Sequence, residues 1–330
     1  MIELHCHLDG SLSREDIAYL CRINHKEGVD LDAVKLTADK NTRSLTDYLR
    51  CFDFPISLLQ TAESIAYATY SLYRRLASQG ILYAEVRFAP QQQTANGLTQ
   101  EQTVLAALKG LEMAKAETRI AGQLILCCMR GKETHAANLE TVDVASSFLG
   151  KGVCGIDLAG AEALFPNPLF RAEFKKARDA NLPITIHAGE ALGSESVWEA
   201  IKMGARRIGH GVRSVEDPQL IEFLAASRIG LEVCPTSEVD TRCIASYEQC
   251  PIPLLFRKKV LFTLATDDMT VSSIALPEEY RKASEAFSLG AEERKTLYLN
   301  AVEMAFLPSE EKAFLRELIL KKLQNPNDSF

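Results

Sequence analysis

The sequence predicts an α/β protein that forms one (β/α)8 barrel of the TIM type, a single domain over residues 1–330. Eight short apolar runs of strand character alternate with longer segments of helical periodicity. No two-residue hairpin signal joins any two of these runs, which favours a parallel sheet. No linker rich in Gly, Ser or Pro interrupts the series. Eight repeats in a chain of 330 residues fit a closed barrel better than an open doubly wound sheet.

The predicted strands are short and end at polar or small residues. They cover residues 2–7, 81–90, 123–129, 153–158, 183–187, 207–210, 229–234 and 261–266. Pro90 stops the second strand, and Ala159-Gly160 follows the fourth. Proline cannot donate a ladder hydrogen bond, so a strand ending there is expected.

Helical patterns and one insertion fill the connections between the strands. Ser13 and Asp16 have the spacing of a capping box, so the first helix is expected to begin near Ser13. Further helices are predicted at 62–79, 99–121, 139–149, 168–180, 194–203 and 218–226, with a helix-rich region at 277–323. The segment 27–57 has no clear periodicity, and insertions of this kind serve as lids or as packing filler. The tail 325–330 is predicted to fray.

Composition and charge exclude several classes of protein. The chain is 47% hydrophobic and 25% charged, with a net charge of −7, and no run of five basic residues is present, so nucleic acid is not an expected partner. The sequence contains no run of eighteen apolar residues, so no membrane span is predicted. The N-terminus lacks the basic and apolar regions of a signal peptide, and nine cysteines without a CxxC pair indicate free thiols. We therefore expect a cytoplasmic protein with a small-molecule substrate.

The first strand places two histidines one residue apart. Alternate residues of a strand face the same side, so His5 and His7 converge on one place. Two imidazoles at the carboxyl end of a strand form half of a transition-metal site. The competing interpretation makes one a core histidine and the other a loop residue.

Polar residues recur at the carboxyl ends of the other predicted strands, which is where barrel enzymes carry their active sites. The set comprises His5, His7, Asp9, Gly160, His187, Glu190, His210, Asp267 and Asp268. It includes four of the six histidines of the chain. The other two, His25 and His135, are interpreted as solvated surface residues. The selective placement predicts one functional site.

The composition of this set indicates metal-assisted hydrolysis. Three histidines and an aspartate suit a divalent metal, zinc above all, with one position open to water. Spacing alone does not fix which histidine is left out. Glu190 is expected to carry a proton beside a metal-bound water, and hydrolytic attack on an electrophilic carbon would follow. Its alternative role is that of a first-turn acid favouring the next helix.

Five segments of the chain resemble the motifs of the adenosine deaminase family, in the same order and from residue 2 to about residue 320. These segments are His5-Cys6-His7-Leu8-Asp9-Gly10-Ser11, Asp157-Leu158-Ala159-Gly160, His187-Ala188-Gly189-Glu190, Gly209-His210-Gly211 and Thr266-Asp267-Asp268. Each motif alone is weak, because HxH occurs throughout the amidohydrolase superfamily. All five together are a specific signal.

The resemblance implies a catalytic centre with one zinc ion per chain. According to this resemblance, the zinc ligands are His5, His7, His187 and Asp267. Glu190 would deliver a proton to purine N1 as metal-bound hydroxide attacks C6, and His210 would orient that hydroxide.

The resemblance also implies how a purine nucleoside binds. Asp268 would pair with N7, the backbone N–H of Gly160 with N3, and Asp9 with the ribose 5′-hydroxyl. Leu49, Phe52 and Phe54 resemble the family's lid.

Some positions depart from the family pattern and leave the substrate open. Glu238 follows Cys234-Pro235-Thr236-Ser237 where asparagine or serine is common, and residues 91–93 are three glutamines where a histidine is often found. We expect Glu238 either to alter substrate choice or to face solvent. The implied reaction is deamination of adenosine, and of 2′-deoxyadenosine, to inosine or deoxyinosine and ammonia. The alternatives are deamination of adenine or another 6-substituted purine and, more distantly, nucleoside binding without turnover.

Overall fold

The computed structural model describes residues 1–324 and forms a barrel of eight parallel strands surrounded by helices. The strands are β1 (Ile2–His7), β2 (Tyr83–Phe88), β3 (Ala121–Met129), β4 (Val153–Ala159), β5 (Thr185–Ala188), β6 (Arg207–His210), β7 (Gly230–Val233) and β8 (Phe262–Leu264). All eight were predicted, with ends that agree within two residues. The fold class expected from the sequence is confirmed.

Fourteen α-helices are present in residues 1–324. They are α1 (Arg14–Ile23), α2 (Leu45–Leu49), α3 (Asp53–Leu58), α4 (Ala62–Ser78), α5 (Gln100–Thr118), α6 (His135–Phe148), α7 (Arg171–Asp179), α8 (Ser194–Lys202), α9 (Pro218–Ser227), α10 (Pro235–Asp240), α11 (Ile252–Lys258), α12 (Leu276–Phe287), α13 (Ala291–Met304) and α14 (Ser309–Gln324). The capping box predicted at the first helix is present, because Ser13 Oγ accepts from the Asp16 N–H and Asp16 accepts from the Ser13 N–H. None of the helices described is long and apolar enough to cross a bilayer.

Backbone pairing joins the strands in chain order. Strands β1 to β4 form one parallel run and β5 to β8 a second. The bridge between Ile156 and Ile184 connects the two runs on one side, and the bridge between Cys6 and Asp267 connects them on the other. The second junction carries hydrogen bonds of 2.8 Å from His7 N–H to Asp267 O and from Asp267 N–H to His5 O. The first strand therefore lies beside the last, and His5, His7 and Asp267 meet at this seam.

The segment 27–57, predicted to be irregular, contains two helices and a 3₁₀ turn. Helices α2 and α3 flank the turn Arg50–Phe52. At five and six residues, the helices are too short for periodicity to reveal them. Helices α10 and α11 were not predicted for the same reason, and α6 begins at His135 rather than at residue 139. The tail 325–330 lies outside the described residues.

All nine cysteines are free thiols, as predicted, and eight of them are buried. The larger apolar cluster packs the helices against the outer faces of the strands, with Leu4 and Leu126 among its buried members. The barrel interior, by contrast, contains charged side chains. Arg87 and Arg207 are among the largest side chains that are fully buried. The interior of this barrel is therefore partly polar.

Candidate active site

The strand pattern brings three imidazoles and a carboxylate to one point. His5 and His7 leave β1 on the same side, His187 comes from β5, and Asp267 follows β8. The Nε2 atom of His187 lies 3.1 Å from that of His5 and 3.2 Å from that of His7. Asp267 Oδ1 lies 3.1 Å from His5 Nε2 and 3.3 Å from His7 Nε2. The four residues form the candidate metal-binding group of the described chain.

These separations fit a zinc ion. Zinc bonds to nitrogen and oxygen at about 2.0–2.1 Å, so ligands in a tetrahedral arrangement lie about 3.3 Å apart. Burial lowers the pKa of His187 to about 4 and that of His7 well below its usual value, which keeps both imidazoles in the neutral form that binds a metal. The donor set and its spacing therefore suit the metal predicted from the sequence.

A second layer of carboxylates orients two of the histidines. Glu232 Oε2 lies 2.7 Å from His5 Nδ1, and Asp157 Oδ2 lies 3.0 Å from His187 Nδ1. An imidazole that donates from Nδ1 leaves the Nε2 lone pair free for a metal. Arg87 joins the two carboxylates, at 2.9 Å from Asp157 and 2.8 Å from Glu232.

This second layer was missed in the sequence. Asp157 appeared only within a motif, and Glu232 and Arg87 were not selected at all. Their signal is a charged residue at an interior position of an apolar strand, which a search restricted to strand ends passes over. Ser237, which donates to Asp267 Oδ2 at 2.6 Å, was missed as well.

Glu190 and His210 lie beside the metal-binding group. The distance between His210 Nε2 and Glu190 Oε2 is 3.8 Å, and Asp267 Oδ2 is 4.0 Å from the same nitrogen. Burial raises the pKa of Glu190 to about 7, although His210 opposes the rise. Burial alone would lower the pKa of His210, but Glu190 and Glu238 outweigh it and raise that pKa to about 10. A buried carboxyl group whose pKa is raised toward neutrality is typical of acid–base catalysis.

The backbone at two of these positions is unusual. His210 has a φ of 61° and Asp267 a φ of 60°, both in the left-handed region that residues other than glycine seldom adopt. Strained backbone of this kind collects at functional sites, where the surrounding structure holds it in place. Both residues are almost fully buried.

A cavity of about 270 Å³ opens onto the metal-binding group. Its lining includes His7, Asp9, Gly160, His187, Glu190, His210, Asp267 and Asp268, which are eight of the nine residues predicted for the site. The ninth, His5, lies behind them and is fully buried. A larger opening, of about 990 Å³, lies at the amino ends of the strands and contains none of these residues. The predicted residues therefore meet at one site.

Three groups that line this cavity are prepared to bind a polar ligand. Asp9 Oδ1 and Asp268 Oδ1 have no hydrogen-bond partner within residues 1–324. Burial raises the pKa of Asp9 to about 6; burial, together with the neighbouring Asp267, raises that of Asp268 well above its usual value. Gly160 has a φ of 108°, a conformation in which other residues are strained.

Only some of the residues that resemble the family's lid, or that depart from the family pattern, line the cavity. Leu49 and Phe52 line the cavity, but Phe54 does not, and it packs against the main apolar cluster instead. Gln92 is the one glutamine of residues 91–93 that lines the cavity.

Glu238 does not face solvent, because it is fully buried. Its Oε1 accepts from the Cys234 N–H at 2.9 Å and lies 3.7 Å from His210 Nδ1. It is outside the cavity lining. Of the two roles expected for Glu238, exposure on the surface was wrong, and an effect on the substrate would have to act through His210.

His25 and His135 lie away from the site, as expected. The His135 side chain is 61% exposed, and its Nδ1 lies 2.8 Å from Glu173.

Comparison with known proteins gives a consistent result. The family model described as adenosine deaminase matches residues 1–322. The chain is 43% identical over 326 residues to the adenosine deaminase of Haemophilus ducreyi, covering 96% of this chain and 94% of that protein. Among solved structures, the N6-mAMP deaminase of Arabidopsis superposes with a TM-score of 0.87 at 28% identity, covering 97% of each chain.

The adenine deaminase of Arthrobacter aurescens also superposes with a TM-score of 0.87, covering 98% of this chain and 99% of that one. At 24% identity, this match supports the barrel fold. The family model and the curated relatives both extend over nearly the whole chain and include every residue of the site. The chain therefore belongs to the adenosine deaminase family, within the amidohydrolase superfamily, and is an aminohydrolase.

Proposed function

We propose that the protein hydrolyses adenosine and 2′-deoxyadenosine to inosine or deoxyinosine and ammonia, with one zinc ion per chain. The observation that carries the proposal is the convergence of the metal-binding group, Glu190 and Asp268 on one cavity. His5, His7, His187 and Asp267 would hold the zinc. When bound, zinc supplies a Lewis acid that lowers the pKa of water toward neutrality.

Glu190 is the proposed acid of the reaction. Attack of hydroxide on C6 disrupts the aromatic ring, so N1 must be protonated as the new bond forms. Glu190 is 3% exposed, and its raised pKa of about 7 keeps a proton available near neutral pH. Its Oε1 is buried without a hydrogen-bond partner in residues 1–324 and is therefore available to a ligand.

His210 is proposed to orient the attacking hydroxide. Its Nε2 is directed toward Glu190 and Asp267. A positioned imidazole holds a small nucleophile in the attack direction, which reduces the entropic part of the barrier. The charge that its raised pKa favours would also stabilise developing negative charge on oxygen.

Three groups are proposed to recognise the nucleoside. Asp268, protonated because its pKa is raised, would donate to N7. The N–H of Gly160 would donate to N3, and the absence of a side chain there leaves room for the purine. Asp9 would accept from the ribose 5′-hydroxyl.

The charges lining the cavity favour a nucleoside over a nucleotide. The Asp9 carboxylate would repel a 5′-phosphate unless a cation compensated for it. Arg130 is the one Arg or Lys among the described residues that line the cavity. Its guanidinium already donates to Phe165 O, Asn167 Oδ1 and His187 O, each at 2.7 Å. No free cation of the cavity lining in residues 1–324 is therefore placed to bind a phosphate.

The alternatives predict different substrates or no turnover. Adenine and an N6-substituted adenine nucleotide remain the competing substrates, since proteins of similar structure are named for them. A nucleoside-binding protein without turnover would be expected to lack Glu190 or a metal ligand, and all are present. We further infer a cytoplasmic location, which nine free thiols support.

A substrate panel tests the proposal. The zinc-loaded protein is mixed separately with adenosine, 2′-deoxyadenosine, adenine, AMP and N6-methyl-AMP, and conversion of the purine is followed by ultraviolet absorbance. We expect the highest kcat/KM for the two nucleosides. A higher kcat/KM for adenine or for either nucleotide would identify that purine as the substrate in place of adenosine. If none of the purines is converted, deamination of these purines is contradicted.

A further inference from the structure

We propose that Tyr48 is a positioning residue that ties the lid to the purine-binding carboxylate, holding Asp268 so that its Oδ1 faces N7 of the bound purine. The inference rests on the role proposed above for Asp268. It adds a lid residue that makes nucleobase recognition depend on the position of the lid.

The hydrogen bonds of Tyr48 fix the orientation of the carboxyl group. The phenol oxygen donates to Asp268 Oδ2 at 3.0 Å and lies 2.9 Å from Ser272 Oγ. Because a phenol has one proton to donate, the Ser272 hydroxyl must donate to Tyr48 in this arrangement. The Oδ2 atom is thereby occupied, and any proton held by Asp268 is placed on Oδ1.

The other oxygen is left for a ligand. Asp268 Oδ1 is buried and has no hydrogen-bond partner in residues 1–324, and Asp268 lines the cavity. Leaving a buried polar atom unpaired has a free-energy cost. A purine whose N7 accepts from this atom would remove that cost, so the arrangement favours a ligand with an acceptor at that point.

Tyr48 lies in the segment 27–57, here taken as the lid, which is hydrogen-bonded to the loop that carries Asp268. Tyr48 lies in α2 and is 1% exposed. It packs in a small apolar cluster with Cys51, Phe52 and Val271. The N–H of Ala38, in the same insertion, donates to Val271 O at 2.8 Å. These contacts join the lid to the Asp268 loop, and displacement of Tyr48 relative to that loop would break the Tyr48–Asp268 hydrogen bond.

Burial keeps the Tyr48 hydroxyl a donor at all ordinary pH values, because it raises the pKa of the phenol well above its usual value, and Asp268 adds to that rise. The hydrogen bond is therefore present whenever the lid is in this position. Its contribution to binding should depend on whether the ligand has N7.

Two analogues that differ in the ring nitrogens provide the test. 1-Deazaadenosine retains N7 but lacks the N1 that must be protonated, and 7-deazaadenosine lacks N7. Their dissociation constants are measured by calorimetry with the zinc-loaded protein and with Tyr48→Phe. We expect Tyr48→Phe to weaken the binding of 1-deazaadenosine about fivefold to tenfold, because one hydrogen bond is lost. The affinity for 7-deazaadenosine should change by less than about twofold.

Tyr67→Phe is the matched control, since its hydroxyl lies 3.5 Å from Asp16 Oδ1 and it does not line the cavity. This variant should leave both affinities unchanged. Should Tyr48→Phe lose zinc or unfold, Ser272→Ala replaces it and should show a smaller loss with the same selectivity.

An equal loss of affinity for both analogues would overturn the proposal, because Tyr48 would then act through lid packing alone. An unchanged affinity for 1-deazaadenosine would overturn it as well. Failure of the proposed function is a separate result: the unmodified protein would bind neither analogue or would not convert adenosine.

Discussion

The side chain of Glu162 accepts a hydrogen bond from the backbone N–H of Glu190, at 3.2 Å, and thereby fixes the start of the loop that carries the proposed acid. The same carboxylate accepts from the N–H groups of Gly189, Ala191 and Leu192 and from Ser196 Oγ. Five donors on one buried carboxylate hold this turn rigidly. Glu162 was not selected from the sequence, because the loop between β4 and α7 showed no periodicity around it.

We predict that Glu162→Gln lowers kcat without abolishing metal binding. An amide has one acceptor oxygen in place of two, so some of the loop amides lose their partner and Glu190 shifts. A displacement of about 1 Å costs about a hundredfold in rate. Steady-state kinetics together with zinc analysis measure the effect.

Glu173→Gln is the matched control, since Glu173 is a buried glutamate that lies outside the cavity lining. It should leave kcat unchanged. Full activity of Glu162→Gln would show that the loop does not need these hydrogen bonds.

The second carboxylate layer predicts a change in metal affinity. In Glu232→Gln, the amide no longer provides a charged acceptor to His5 Nδ1, so His5 becomes a weaker ligand. Loss of such a partner typically reduces metal affinity 10–100-fold, and we expect about the same here. Zinc affinity is measured by competition with a chelator.

Glu85→Gln serves as the control for this prediction. Glu85 pairs with Arg207 at 2.6 Å, as Glu232 does, but contacts no histidine of the site. Equal losses of zinc affinity in the two variants would assign the effect to the arginine network rather than to His5.

The raised pKa of Glu190 predicts a pH-dependent cost to stability in the metal-free protein. Its pKa is about 7 in the folded state, against an ordinary glutamate value of 4.5. Ionisation is therefore disfavoured by folding, and the cost develops as the pH rises from about 4.5 to about 7. We predict that Glu190→Gln raises the free energy of unfolding by about 3 kcal/mol at pH 8 and has little effect near pH 4.5.

Urea unfolding of the metal-free protein and of Glu190→Gln at the two pH values measures this difference. An increment of the same size at both pH values would mean that ionisation of Glu190 is not its source.

Purine binding is predicted to require glycine at position 10, because a side chain there would collide with Asp268. A Cβ at Gly10 would lie 1.8 Å from Asp268 Oδ1 and 2.8 Å from Phe52 Cε1. Gly10→Ala should displace the carboxyl group and weaken purine binding about tenfold or more, while the zinc content stays unchanged. Calorimetry with 1-deazaadenosine measures the loss.

Gly290→Ala is a suitable control for Gly10→Ala, because its Cβ would meet the flexible Glu293 side chain far from the site. Unchanged purine affinity in Gly10→Ala would show that Asp268 has room to move.

The sequence predicted the strands and the residues at their carboxyl ends well, for a physical reason. Alternation in β1 directs His5 and His7 to one side, and a parallel barrel gathers all strand ends on one face, so His187, His210 and Asp267 follow. The residues that orient them were missed because Glu232 and Arg87 lie in apolar strands whose partners come from distant parts of the chain. Likewise, α2 is too short to be recognised, so the contact between Tyr48 and Asp268 required the folded structure.

The most direct test of the proposed function compares the zinc-loaded protein with Glu190→Gln on adenosine. We expect one zinc per chain in both proteins and conversion of the adenine chromophore to hypoxanthine by the unmodified protein alone. Removal of Glu190 as proton donor should lower the rate by at least about a hundredfold. Equal rates in the two proteins, or a protein that binds no metal, would contradict the assignment of the active site.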